Sequence, residues 1–403
     1  LVIGAGFAGL SAARRLTQTR PGDRIIVLDA RELAQGPAGR NSGFMIDVPH
    51  NLSSGEYSSG DVGGTTLEMA QNRLAIAFAM EAAAEYGMPQ ATFDACGKIN
   101  AAASERGQKL NESFAASLEG IGEPLRRIDA AEMRAITGSD YYLGGLYTPG
   151  AVLIQPADYI RSLAAGLAPR LDLYENSPVV EISRQGGAWT ARTPKGSVTA
   201  PKVILGVNGL VQEFGHFRGR LMHVFTYASM TAPFAAAAGR DRWGLLPADP
   251  MGATVRKVIG ADGARIVIRT RFTYDPGVQV SEKRVAATAA QQRRSFAARF
   301  PDLASLRFEY SWAGRLCLSL NHVPAFGEVE EGVFSACCEN GLGTVKSTLA
   351  GMMAADLATG RSSEDLVRYM DQPQPRRLPP EPFAWLGANA VIRWQEMRAG
   401  REG

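Results

Sequence analysis

The apolar positions of this 403-residue chain fall into a few distinct rhythms, and changes of rhythm mark its elements. Leu1-Val2-Ile3 is an unbroken apolar run of strand character. It stops at Gly4-Ala5-Gly6-Phe7-Ala8-Gly9, after which Leu10, Ala13 and Leu16 recur at helical spacing. A second strand follows in RIIVLD (24–29). LEMAQNRLAIAFAMEAAAEYG (67–87) predicts one long helix, because Ala, Leu, Met and Glu lose little freedom in that conformation. Residues 88–150 read as a strand followed by helices, and 176–209 as a strand meander. Residues 215–311 read as alternating strands with one helix, SEKRVAATAAQQRRSFAARF. Late in the chain, GVFSACCENGLGTVKSTLAGMMAADLATG predicts a strand, a Gly341-Leu342-Gly343 turn and a helix from about Thr344 to Leu357. A proline-rich linker then leads into a short helix carrying Trp385, Leu386 and Trp394. No internal repeat breaks the pattern, and no apolar run is long enough to span a bilayer.

Strand, glycine turn and helix in this order form a dinucleotide-binding pattern. Gly4 permits the tight turn, Gly6 admits a pyrophosphate close to the backbone, and Gly9 lets the helix pack on the strand. The phosphates would meet free N–H groups at the positive end of the helix. Asp29 closes the second strand twenty residues after Gly9, where an acceptor bonds both ribose hydroxyls and disfavours a 2′-phosphate. NAD and FAD make similar demands here. The next segment, ARELAQGPAGRNSGFMIDVPH (30–50), is a long glycine-punctuated loop with Arg31, Arg40, Asn41 and Ser42. Both a longer ligand and a surface excursion fit it. A second glycine-led helix start, more than 300 residues later, favours an extended FAD, since its N–H groups would stabilise negative charge on a reduced ring. Residue 1 already lies inside a predicted strand, so no signal peptide is read and more chain is expected ahead of it.

With these features in place, the chain resembles the D-amino-acid oxidase / sarcosine oxidase superfamily of FAD-dependent oxidoreductases. GPAGRNSG (36–43) is most similar to the Gly-Arg-Asn-Gly-Gly-type loop of the gamma-glutamylputrescine oxidase group. LIQPADYIRSLA (153–164), the meander of 176–209 and WAGRLCLSLNHVPAFG (312–327) resemble further family segments, in the family's order. The resemblance implies an α/β chain built on a Rossmann-like FAD-binding domain (1–87, 151–214 and 312–361). Inserted in it would be an α+β substrate domain (88–150 and 215–311) on a mixed or antiparallel sheet, with a linker and helix (362–403) at the end. Carried over by position, Gly4, Gly6, Phe7, Ala8, Asp29, Ala30 and Arg31 would hold the ADP part, and the backbone of Val179 would meet the adenine. Arg40, Asn41, Ser42, Gly43, Phe44 and Met45 would approach the ribityl chain and ring. Gly314, Gly341, Gly343, Thr344, Val345 and Lys346 would line the flavin's far edge. The family's Thr-x-Asp before its proline is replaced by Ser319 and Asn321. Where monomeric sarcosine oxidases carry a flavin-linking cysteine this chain has Gly314, with Cys317 three residues off, so a non-covalent flavin is expected.

In this superfamily a hydride leaves the carbon beside a neutral amine for the flavin, and the imine hydrolyses in water. The protein's task is to orient that carbon and exclude water. In GARIVIRTRFTY (263–274), Arg269 and Arg271 stand where the family has small residues. Alternation places both on one face, and paired guanidinium forks suit a carboxylate, sulfonate or phosphonate. Arginines on a solvated strand face would leave the same pattern. Tyr227 in VFTYASM and Lys346, one residue past a family lysine, are further substrate-side candidates, with packing as the alternative for the tyrosine. His50, His216, His223 and His322 form no metal pattern; His50 and His223 would either enter the pocket or serve packing.

Composition narrows the alternatives. A net charge of +3 is far from a nucleic-acid footprint. Cys96, Cys317, Cys337 and Cys338 have neither CxxC nor zinc spacing, and read as reduced thiols of a cytoplasmic protein. The expected activity is oxidation of an amine or amino acid that carries an anionic group, with oxygen or another acceptor taking the electrons. The alternative is a dehydrogenase subunit that passes electrons to a partner or quinone. An NAD(P)-dependent dehydrogenase of the short-chain type would need a Tyr-x-x-x-Lys pair, which is absent. The Trp-bearing tail is expected to pack back on the FAD-binding domain, a partner or a membrane surface being the other options.

Overall fold

The computed structural model describes residues 1–49, 62–235 and 239–403. One layer is a six-stranded sheet whose strand Val2–Ile3 lies between Val203–Leu205 and Ile26–Leu28, parallel to both. Val333–Cys337 and Asp172–Tyr174 extend the parallel sheet on either side, and Ala325–Glu330 closes one edge antiparallel. The inner strands are unbroken apolar runs because both faces are covered. On one face the helices Phe7–Thr19, Val62–Glu85, Pro156–Leu167 and Gly343–Ala358 pack around Leu10, Ala79, Leu163 and Met353. On the other, the meander Glu181–Gln185, Ala188–Thr193 and Gly196–Ala200 sets Trp189 and Ala191 against Leu205 and Val333.

The two glycine-led helices meet the sheet and each other at backbone contact. A Cβ on Gly9 would lie 1.7 Å from the Gly4 carbonyl oxygen, so only glycine lets the first helix start this close to its strand. A Cβ on Gly351 would lie 2.1 Å from the Ala8 carbonyl oxygen, where the late helix crosses the first.

A mixed sheet of eight strands forms the second layer. Its order is Phe308–Ser319, Leu221–Thr231, Gly263–Tyr274, Thr254–Gly260, Trp243–Pro247, Lys98–Ala102, Gly144–Thr148 and Arg126–Asp129. Trp243–Pro247 runs parallel to Lys98–Ala102, and the other pairings are antiparallel. Residues 88–150 thus add three strands to this sheet where the sequence read one. The edge strand, Arg-Arg-Ile-Asp, has no apolar run to announce it. Phe308–Ser319 lies wholly in this sheet, so Trp312 and Gly314 reach the site from this layer and not from the six-stranded one. Helix Glu282–Arg299 starts at Ser281, whose side chain accepts the Arg284 N–H at 3.3 Å, and packs on the sheet through Phe296.

The C-terminal helix Phe383–Ala399 lies on the eight-stranded sheet, correcting the expectation that it returns to the FAD-binding layer. The physical cause is an unfinished sheet edge. Thr254–Gly260 begins opposite Arg269, so Gly263–Tyr274 loses that neighbour beyond this point. Glu396 accepts the Phe272 N–H at 2.8 Å. The Asn389 amide accepts the Tyr274 N–H and donates to the Tyr274 carbonyl, each at 3.1 Å. Ala384, Ala388 and Ile392 fill in against Phe272 and Tyr274. Farther on, the buried Glu402 carboxylate accepts the Ala103 N–H and the Ser104 hydroxyl. No helix among the described residues is long and apolar enough to cross a membrane.

Candidate active site

Both sheets contribute to the wall of a cavity of about 1370 Å³. One end is made by the first glycine turn, through Gly4, Gly6, Phe7 and Ala8. Gly6 begins the helix and provides no capping side chain, so the first-turn N–H groups are open to a ligand. A Cβ on Gly6 would meet only Ala38 Cβ, at 3.4 Å. The protein's own packing therefore does not demand glycine there, and the space belongs to the cavity. Asp29 stands at the same end, accepting the Ala5 N–H at 2.7 Å and the Arg31 N–H at 2.9 Å. Burial pushes its carboxyl pKa up, against those two bonds. Ala30, Arg31 and Val179 complete this end.

The wall continues through Arg40, Asn41, Ser42 and Phe44, and through Gly314, Gly341, Gly343 and Thr344. Asn41 folds its loop on itself, accepting the Gly43 N–H at 2.8 Å and donating to the Ala38 carbonyl at 2.6 Å. The Trp312 indole donates to the Arg40 carbonyl at 3.0 Å. The late helix begins at Leu342, again without a side-chain cap. Beside it Glu339 is buried and lines the cavity, its Oε1 accepting the Cys317 N–H at 3.2 Å. Burial raises the pKa of this carboxyl. Sequence reasoning passed over it, although a lone acid between an apolar strand and a glycine turn was the signal.

Arg256 was also missed. Its buried guanidinium donates from Nη1 to the carbonyls of Ser42, Gly43 and Ile154, at 2.8, 3.3 and 2.8 Å. Burial brings its pKa down to about 10. The bond set bolts the 40–45 loop to strand Thr254–Gly260, whose Arg-Lys pair inside an apolar run is the only trace in the sequence.

At the far end the wall consists of Phe225, Thr226, Arg269 and Phe272, with Val285, Ala286, Ala289 and Arg293 of helix Glu282–Arg299. Arg269 donates to Thr254 Oγ1 at 2.6 Å and lies over the Phe272 ring, 5.0 Å from its centre. Arg271 does not share that face. Thr226 pairs with Phe272 and Tyr227 with Thr270, which leaves Arg271 as the extra residue of a β-bulge, at φ 64°. One inserted residue reverses the alternation. Phe272 takes the cavity side with Arg269, and Arg271 turns to the C-terminal helix, 3.9 Å from Glu396.

Other expected residues also stand off the cavity. Tyr227 is buried in the sheet, its hydroxyl 2.7 Å from Thr273 Oγ1. Lys346 pairs with Glu68 at 2.8 Å and lines a neighbouring pocket of about 240 Å³. Met45 and Val345 face the core of the six-stranded layer, and Arg256 fills the space beside Gly43. Among the described residues no histidine or cysteine lines the cavity, and no group of His, Cys, Asp and Glu is arranged for a metal. His50 lies outside the described residues.

Uncapped helix starts at two places on one cavity suit a cofactor that brings a pyrophosphate to one and a ring to the other, which is the requirement of the FAD-binding oxidoreductases. The FAD dependent oxidoreductase (DAO) family model matches residues 1–357, and the chain belongs to that family. The gamma-glutamylputrescine oxidoreductase of Escherichia coli is 26% identical over 382 residues, 89% of this chain and 83% of that protein. Probable oxidoreductase OrdL of Haemophilus influenzae is 25% identical over 89% of this chain and 82% of its own. Among solved structures, glycine oxidase from Geobacillus kaustophilus has a TM-score of 0.73 at 20% identity, covering 94% of this chain and 98% of that one. At that identity the likeness speaks for the fold.

Proposed function

We propose that this protein oxidises the C–N bond of an amine or amino acid whose body carries an anionic group. The observation that carries this reading is Arg269. Its guanidinium is fixed by Thr254 and Phe272 on the cavity wall, in the layer opposite the first glycine turn. A guanidinium on this wall suits an anionic substrate group, to which it would donate. The two relatives named for their substrates point to glycine and to gamma-glutamylputrescine, compounds that pair an amine with a carboxylate.

The six-stranded layer acts as the FAD-binding domain and the eight-stranded layer as the substrate domain. Gly4, Gly6, Phe7 and Ala8 take the pyrophosphate on N–H groups, Asp29 takes the ribose, and Ala30, Arg31 and Val179 take the rest of the adenosine. Arg40, Asn41, Ser42, Phe44, Gly314, Gly341, Gly343 and Thr344 receive the ribityl chain and ring. Bound FAD supplies the acceptor for the hydride that leaves the carbon beside the amine. FAD is expected to be held without a covalent link, since Gly314 stands on the cavity wall where a linking cysteine would be. Val285, Ala286 and Ala289 exclude water at the substrate end while Arg269 sets the substrate's orientation. Four free cysteines, three of them buried, favour a reducing, cytoplasmic setting.

Anaerobic bleaching of the bound flavin, screened over amines with and without a carboxylate, tests the reading. Carboxylate-bearing amines should bleach it fastest. Arg269→Ala should cost roughly 2–5 kcal/mol in apparent substrate affinity, with FAD content unchanged. Arg271→Ala should leave that affinity at the wild-type value. Rapid turnover of an amine with no anionic group, or a silent Arg269→Ala, would overturn the assignment. Fast peroxide formation on readmitting air identifies oxygen as the acceptor; slow reoxidation identifies a dehydrogenase.

A further inference from the structure

The C-terminal helix Phe383–Ala399 is apolar on two sides. Its inner side, Ala384, Ala388 and Ile392, packs on Phe272 and Tyr274. Its outer side carries Phe383, Leu386, Trp394 and Met397, each more than half exposed. With Ala390 these residues are spaced by three, four, four and three positions, which makes one stripe along the helix. A helix that is apolar on both sides has two partners, and the sheet is only one of them.

The charge around the stripe is mostly positive. Residues 372–403 hold Arg376, Arg377, Arg393, Arg398 and Arg401 against Glu381, Glu396 and Glu402. Glu402 is buried and Glu396 half-buried, while Glu381 is exposed. Glu381 accepts the Tyr274 hydroxyl and the Trp385 N–H, Glu396 the Phe272 N–H, and Glu402 the Ala103 N–H. Arg393 and Arg398 flank the stripe on opposite sides, and Arg398 lies 4.6 Å from the centre of the Trp394 ring. Along one flank opens a pocket of about 280 Å³, lined by Arg271, Arg284 and Arg393 together with Trp385. Two carboxylates, Asp275 and Glu396, pair with these three guanidiniums. The bulge that removes Arg271 from the main cavity is what delivers it here.

We propose that this helix docks the protein in the plane of an anionic lipid surface. The stripe enters the acyl layer, and the arginine pocket lies at the depth of the headgroup phosphates. A bulky apolar line with an arginine rim has the build of an interfacial helix, and the arginine stems reach up to the phosphates from beside it. A second copy of the chain answers this chemistry poorly, because a two-fold contact would bring arginine flanks together, each copy holding five arginines to three glutamates over residues 372–403.

Co-sedimentation of the flavin-loaded protein with vesicles tests the docking. Vesicles containing phosphatidylglycerol should carry the protein down, less so as salt is raised, while pure phosphatidylcholine should leave it in solution. Leu386→Glu and Trp394→Glu should each cut partitioning by about tenfold or more with flavin absorbance unchanged. Arg393→Ala should cut it by about fivefold. In the unmodified protein, lipids brominated in their acyl chains should quench tryptophan emission, a readout that needs no variant. Failure to bind anionic vesicles overturns the proposal, as does equal binding to neutral ones. A concentration-dependent dimer lost in the same variants, without vesicle binding, overturns it in favour of a second copy. Binding to an acidic soluble protein without vesicle binding overturns it in favour of that partner.

Discussion

His223 stands on strand Leu221–Thr231 against Gln212, with Nδ1 lacking a hydrogen-bond partner. Burial, with Arg315 adding repulsion, brings its pKa down to about 4. The folded value lies below the unfolded one, so the neutral ring's contribution is fully present above about pH 6.5 and is lost as pH falls toward 4. That contribution is worth roughly 3 kcal/mol. Asp29 and Glu339 run the other way, since burial raises both and their contribution is lost as pH rises. The histidine is therefore read by difference. The melting temperature of His223→Gln should fall less than that of wild type between pH 6.5 and 4, and parallel curves would show that His223 does not titrate in this window. At this scale the sequence put residues on the cavity wall wherever their place depends on backbone position, as for Gly4, Gly6 and Asp29. It misled where a side chain's direction depends on register. Alternation counted Arg269 and Arg271 onto one face, and a single unpaired residue separated them. Arg256 left almost no trace, because a buried arginine in a strand differs from an exposed one only in what surrounds it.

Glycine positions decide how the elements pack. A side chain at Gly351 must push against the Ala8 backbone where the two glycine-led helices cross, so Gly351→Ala should cost about 1–3 kcal/mol and loosen FAD retention. Gly387, in the C-terminal helix, has nothing within 4 Å of its missing Cβ. Gly387→Ala should therefore stabilise by up to about 1 kcal/mol. Paired thermal melts check both signs, and two losses would mean that the helix ends and not the crossing set the outcome. Helix periodicity served well here: 282–299 and 343–358 fall within a residue or so of their predicted limits. The tail helix was foreseen, but its resting place was not. What draws it is the run of open N–H groups beyond Arg269, a property of where a neighbouring strand starts.

For the molecule as a whole, the non-covalent reading predicts that acid precipitation releases all the flavin into the supernatant, whereas yellow colour left in the pellet would require a covalent bond. The wall residues behind this prediction come from both layers, and the sequence had divided them differently by giving Trp312 and Gly314 to the FAD-binding part. A boundary drawn from segment patterns and resemblance cannot see which sheet a strand joins, because the strand's apolar spacing is the same in either sheet.

Gly6 and Gly343 line the same cavity although more than 330 residues of chain separate them. A ribosome delivers the first long before the second, and at roughly 5–20 residues per second the interval is on the order of half a minute. In that interval Val203–Leu205 has no Val333–Cys337 beside it, and the Arg40 carbonyl waits for its Trp312 donor. A nascent chain cut or stalled before about residue 340 has the nucleotide turn and much of the wall but lacks the side made by Gly341, Gly343 and Thr344. The cavity that would take FAD is therefore complete only once the late helix has been made, so cofactor capture belongs after synthesis of that helix and not during it.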